Sequence, residues 1–205
     1  HHAIVTAFRP LYTAKWVSSG VSKGGMASVY HRFFYPDDVD ATVAYVAPSS
    51  HGTQDPRYVA FVASLGSTKC RNRLLKFQRR ALKKREKLVR FMDDPSYDIL
   101  GKDQAIEFAI LEMPFIFWQY EDADLCSELP GADASARQIY NFLDRVVFVN
   151  SFSDDALTYF EAYYYQSATE LGGPAVGEAG LEDLIRYPGQ DGPVILPPLG
   201  VEKPF

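Results

Sequence analysis

An α/β fold is predicted for this chain of 205 residues: a segment of parallel sheet followed by a long, wholly helical insertion. Three observations predict it. A β-rich run ends in Gly20-x-Ser22-x-Gly24 and passes at once into a helical pattern. Helix, strand, helix and strand then alternate within about 45 residues, the rhythm of parallel strands joined by right-handed crossovers. From residue 55 to 172 only helical periodicities occur, separated by loops rich in Asp, Pro and Gly.

The elements follow in order. Ile4, Ala7, Phe8 and Leu11 recur at helical spacing and predict a helix over 3–11. Residues 15–19 read as a strand. Met26, Val29, Phe33 and Phe34 predict a helix over 23–35, which Pro36-Asp37-Asp38 stops. Ala41-Thr42-Val43-Ala44-Tyr45-Val46 is the nearly continuous apolar run of a strand covered on both faces. Helices are then expected at 56–65, 69–92, 103–119, 134–147 and 153–169. The tail beyond Gly172 is rich in Gly and Pro, with a short helix at 181–186. The pattern divides the chain into a core segment (1–50), a helical lid (51–175) and a connection (176–205) leading back toward the core.

Composition bounds the function. Hydrophobic residues make up 47% and aromatics 14%, which is globular composition. No run approaches the ~20 apolar residues of a membrane-spanning helix. The opening His1-His2-Ala3 begins in mid-pattern without methionine or a visible signal peptide, as a fragment or processed form would. Net charge is −5, yet residues 69–90 hold eleven Lys or Arg against Glu86 alone. The same segment carries an apolar stripe of Leu74, Leu75, Phe77, Leu82, Leu88, Val89 and Phe91. It therefore reads as a helix pairing its basic face with the acidic segments that follow, rather than as a nucleic-acid or membrane contact. Two cysteines, Cys70 and Cys126, allow one disulfide and alone say little about compartment. No His-x-x-x-His, Cys-x-x-Cys or phosphate-loop motif is present, so no metal and no cofactor is predicted.

The motif with chemistry is Gly20-Val21-Ser22-Lys23-Gly24. A glycine on each side of a serine, between strand and helix, is the pattern of the nucleophile elbow of α/β-hydrolases. The tight turn strains the serine, and side chains at the flanking positions would collide with strand or helix. The backbone N–H of Lys23, at a helix N-terminus, is placed to stabilise an oxyanion. Lys23 adjoins the serine and cannot act as its base in the manner of Ser-x-x-Lys enzymes.

Such a serine needs a histidine base and a carboxylate that orients it. His1 and His2 precede the elbow. His31 lies on the same helix, about 13 Å further along its axis, and reads as a packing or surface residue. His51, just past the second strand, is the local contender, although it also reads as a loop histidine; Asp55 in the same loop is an alternative acid. The simplest expectation places base and acid beyond residue 205.

The run from Trp16 to Met26, joined to Val29-Tyr30-His31-Arg32-Phe33-Phe34-Tyr35-Pro36-Asp37-Asp38-Val39-Asp40 and Val43-Ala44-Tyr45-Val46-Ala47-Pro48, closely resembles the secreted bacterial prolyl tri/tetrapeptidyl aminopeptidases. Phe115-Ile116-Phe117-Trp118-Gln119-Tyr120 and Tyr163-Tyr164-Tyr165-Gln166 are similar to lid segments of that family. The resemblance implies a serine exopeptidase that removes tri- or tetrapeptides from free N-termini, with proline favoured before the scissile bond. It implies secretion, peptide substrates, and an acid–base pair in a later part of the core. Secretion in turn makes a Cys70–Cys126 disulfide plausible. Ser49-Ser50-His51 departs from the residues the family usually carries after Ala47-Pro48, so that loop is open to question.

Proline preference requires an apolar, aromatic-lined pocket, for which Trp118, Phe115, Phe117, Tyr163, Tyr164 and Tyr165 are candidates. An aminopeptidase also needs a carboxylate to hold the substrate ammonium. Glu107, Glu112 and Glu161 are candidates, and Glu112 and Glu161 are preferred because apolar residues surround them. Two further classes stay open: an esterase or lipase of the same fold, and a binding module using the cationic helix.

Overall fold

The computed structural model describes residues 1–52, 54–93 and 95–189. They form a helix-rich α/β structure divided into two compact units, His1–Ser50 and His51 onward.

In the first unit α1 (His2–Phe8) ends earlier than its apolar spacing predicts. Pro10 explains this, because it lacks an N–H and disfavours helical backbone in the residue before it. Strands β1 (Val17–Val21) and β2 (Ala41–Tyr45) pair in parallel, Val17 opposite Ala41 and Val21 opposite Tyr45. Helix α2 (Lys23–Phe34) connects them. The register is pinned where the strands begin. The Trp16 amide donates to Asp40 Oδ2 at 2.8 Å, and the Asp40 amide donates to the Trp16 carbonyl at 2.8 Å. This pairing carries β1 two residues beyond the predicted 15–19. Among the described residues the sheet has two strands, so Val43 and Tyr45 are exposed where the apolar run predicted a covered strand.

The second unit is built around α6 (Lys102–Tyr120), which buries Ile106, Phe108, Ile110, Met113 and Phe117. A helix apolar on most sides is a core helix. Around it lie α3 (Arg57–Ser64), α4 (Thr68–Lys83), α5 (Arg85–Leu88), α7 (Ala136–Val147), α8 (Asp154–Tyr159) and α9 (Glu161–Gln166). Serines start three of them: Ser67, Ser135 and Ser153 accept amide hydrogen bonds within the first turns of α4, α7 and α8. The predicted helix over 69–92 breaks at Lys84, where the backbone turns to φ −104° and ψ 9°; its ammonium reaches the Ala134 carbonyl at 2.6 Å. The helix expected at 181–186 is a run of turns. Its end is fixed when the Arg186 and Tyr187 amides donate to the buried carboxylate of Glu107.

The basic helix serves its own fold. Arg73 and Arg80 donate to carbonyls of Ser127, Leu129 and Pro130, Arg79 pairs with Asp183, and Arg85 forms a buried ion pair with Glu107. Cys70 and Cys126 form a disulfide that ties the start of α4 to the 3-10 turn Ala123–Ser127. Gly173 and its neighbours close the unit against its own beginning. The Gly173 amide donates to the Gly52 carbonyl at 3.1 Å, the Asp55 amide to Gly173 at 2.9 Å, and the Ala175 amide to Asp55 at 3.2 Å. No helix among the described residues is long and apolar enough to cross a membrane.

Candidate active site

Ser22 sits in the turn between β1 and α2, as its N-cap, with φ 54° and ψ −122°. A non-glycine residue with such backbone is strained by roughly 1–3 kcal/mol and persists only where its surroundings enforce it. Here they do. The Ser22 amide donates to the Tyr45 carbonyl at 3.0 Å, and its own carbonyl accepts from Met26 at 3.1 Å. Ser22 is exposed, and Lys23 begins α2, the positive end of that helix.

The glycines divide the steric work differently from the expectation drawn from the motif. A Cβ on Gly20 would stand 2.2 Å from the backbone of Gly24, so Gly20 must be bare for strand and helix to approach. Gly24 itself has open space. The second tight position is Gly25, where a Cβ would meet Ala47 Cβ at 2.9 Å and the Tyr45 carbonyl at 3.0 Å.

His31 and His2 share a structural partner. His31 is buried, with Nε2 2.7 Å from Asp38 Oδ2, and His2 Nδ1 lies 2.9 Å from the same oxygen. Burial raises the Asp38 pKa, but hydrogen bonds from His2 and His31 outweigh it, and the carboxyl lies below its ordinary range. In the second unit the buried Asp55 accepts from the His51 amide, not from its ring, at 2.9 Å. Asp55 also holds Arg57, whose guanidinium keeps the acid well below the usual carboxylate range. Asp55 is thereby engaged as a structural acid.

A cavity of about 520 Å³ opens wholly within the helical unit. Its walls include Tyr58, Phe115, Trp118, Tyr163, Tyr164 and Glu112. Trp118 reaches it by lying across Gly66, where a Cβ would come within 2.1 Å of the indole. Glu112 is the only carboxylate among the described lining residues, and among the described residues no hydrogen bond or ion pair reaches it. Desolvation pushes its pKa up to about 7. Burial, and then the charge of Glu112, push the Tyr164 phenol up to about 12. The other sequence candidates separate from this group. Glu107 is consumed by Arg85, Glu161 is exposed and does not line the cavity, and Phe117 is core. Tyr58 was missed by the sequence reading; its place in the amphipathic pattern of 56–65 is the signal that marks it. Among the described residues, no group of three His, Cys, Asp or Glu side chains is arranged to hold a metal ion.

The family model for PS-10 peptidase S37 matches residues 1–201. The chain belongs to this peptidase family. Within the S37 peptidases it is similar to a prolyl tri/tetrapeptidyl aminopeptidase of Streptomyces mobaraensis, with 34% identity over 212 residues. That match takes in all of this chain and 44% of the relative, so the chain spans less than half the length of the curated relative it matches. No solved structure matches the chain.

Proposed function

We propose that this chain contributes the nucleophile and the substrate-reading helical lid of a secreted serine exopeptidase of α/β-hydrolase architecture. It releases tri- or tetrapeptides from free N-termini, with proline favoured before the scissile bond. Family membership and the similarity to the Streptomyces aminopeptidase support the peptidase class. The observation that carries the mechanism is the exposed, left-handed Ser22 between β1 and α2, with Gly20 pressed on the backbone of Gly24. The Cys70–Cys126 disulfide suits an exported protein.

In this reading Ser22 Oγ attacks the carbonyl carbon while a histidine base takes the hydroxyl proton. The Lys23 N–H, at the positive end of α2, stabilises the resulting oxyanion. Collapse breaks the peptide C–N bond, the proton passes to the leaving amine, and water then hydrolyses the acyl-serine. His31 and Asp55 are held by other partners, so we assign base and acid to the part of the enzyme beyond these residues. Glu112, Trp118 and Tyr164 are assigned to the peptide; Glu161, exposed and off the cavity, is withdrawn from that role.

The test is Ser22→Ala in the full-length protein against a tripeptide reporter ending in proline. Hydrolysis is expected to disappear. Activity near wild type overturns the assignment; in the wild-type enzyme, loss of turnover on N-acylation favours the aminopeptidase, and turnover of short acyl esters in preference to either peptide points to an esterase.

A further inference from the structure

We propose that the cavity of the helical unit is the subsite for the substrate's first residue, with Glu112 taking the α-ammonium and the aromatic walls taking an apolar side chain. The inference rests on the exopeptidase reading and narrows it. The sequence invites a different use of Trp118 and Tyr164, as walls for the proline ring. That proline is an internal residue whose nitrogen is an amide, and it brings no positive charge to the cavity. A carboxylate left in that wall would be a desolvation penalty with no return. An amino-terminal residue presents an apolar body and a cation one bond apart, which is the pairing of surfaces found here.

What the cavity offers a cation is one carboxylate among apolar and aromatic walls. Glu112 and Arg71 are the charged residues among those described as lining it. Arg71 is already engaged: its guanidinium donates to the carbonyls of Ser64, Leu65 and Gly66 and to Thr68. Gln78 is likewise spent on the Ile110 carbonyl. The titratable groups facing Glu112 are thus Arg71 from α4 and the phenols of Tyr58, Tyr163 and Tyr164. Among the described residues no carboxylate partner and no cation reaches Glu112, whose acidity is shifted by desolvation alone. A volume of about 520 Å³ lies within the range of small-ligand sites and accommodates one large side chain with room beside it. Near neutrality the acid is partly protonated, so an arriving ammonium displaces that proton to solvent and leaves a carboxylate–ammonium pair.

The experiment uses full-length protein carrying Ser22→Ala, so that ligand binds without turnover. Calorimetry compares Phe-Ala-Pro, N-acetyl-Phe-Ala-Pro and Asp-Ala-Pro at pH 6.5 in buffers of different ionisation enthalpy. Phe-Ala-Pro is expected to bind about ten- to a hundred-fold more tightly than the other two, with net proton release. Adding Glu112→Gln should remove both the preference for the free amine and the proton release. The acetylated peptide needs no second variant, so misfolding of the glutamine form cannot mask the result. Equal binding of free and acetylated peptides overturns the proposal, as does indifference to Phe against Asp. Either outcome leaves the serine-peptidase reading standing, because that fails only if Ser22→Ala retains hydrolysis.

Discussion

The side-chain amide of Gln78 donates to the carbonyl of Ile110 at 2.8 Å, in the buried seam between α4 and α6. Ile110 precedes Pro114 by four residues, and a proline has no N–H to close that helical turn. Gln78 replaces the missing donor from another helix. It thereby fixes the stretch of α6 that carries Glu112, Phe115 and Trp118 to the cavity.

Gln78→Leu should leave that carbonyl unsatisfied and lower stability by about 1–3 kcal/mol. Adding Pro114→Ala returns a backbone donor to Ile110, so the double variant should regain part of the loss. Chemical denaturation of the four forms measures the coupling. Simple additivity would disprove the replacement.

The glycines around Ser22 make an unequal pair. Gly20→Ala drives a methyl group into the backbone of Gly24 and should abolish soluble folded protein or activity. Gly24→Ala meets open space in a helix and should be neutral or up to about 1 kcal/mol stabilising. Thermal melts of both variants check this, and equal damage from both would contradict the geometry.

Glu112 should also write its titration into stability. Below its ordinary value of 4.5 the acid is neutral in both folded and unfolded chains. Between there and about 7 the folded protein keeps a proton that the unfolded chain has lost, so stability falls as pH rises. The loss is complete above about 7 and is of order 3 kcal/mol. Relative to wild type, Glu112→Gln should therefore gain melting temperature from pH 5 to pH 8. Parallel melting curves across that range would count against a desolvated acid.

The Cys70–Cys126 bridge closes a loop spanning 56 residues. Replacing both cysteines by serine should lower stability by about 2–4 kcal/mol, read as a fall in the denaturation midpoint of the oxidised protein but not of the reduced one.

Much of this was legible in the chain. The elbow could be read because glycine, serine and glycine at fixed spacing between a strand and a helix is a local backbone constraint. Which glycine carries the steric demand was not, since Gly20 meets Gly24 and Gly25 meets Ala47, contacts set by how elements pack. The aromatic residues of α6 and α9 announced themselves, yet one heptad of α6 mixes core and cavity: Phe117 is buried while Trp118 and Phe115 face open space. Of the three lid glutamates, sequence favoured Glu112 and Glu161 for their apolar neighbours and left Glu107 as a weaker candidate. Glu107 was removed from contention by Arg85 and by amides of the distant residues 186 and 187, which no local pattern contains. The helix expected over 69–92 is interrupted at Lys84, whose backbone (φ −104°, ψ 9°) leaves the helical region between α4 and α5.

Backbone hydrogen bonds between the neighbourhoods of Gly52 and Gly173 pin the two ends of the helical stretch to each other inside their own unit. A stretch closed in this way has no loose end at which fraying can start.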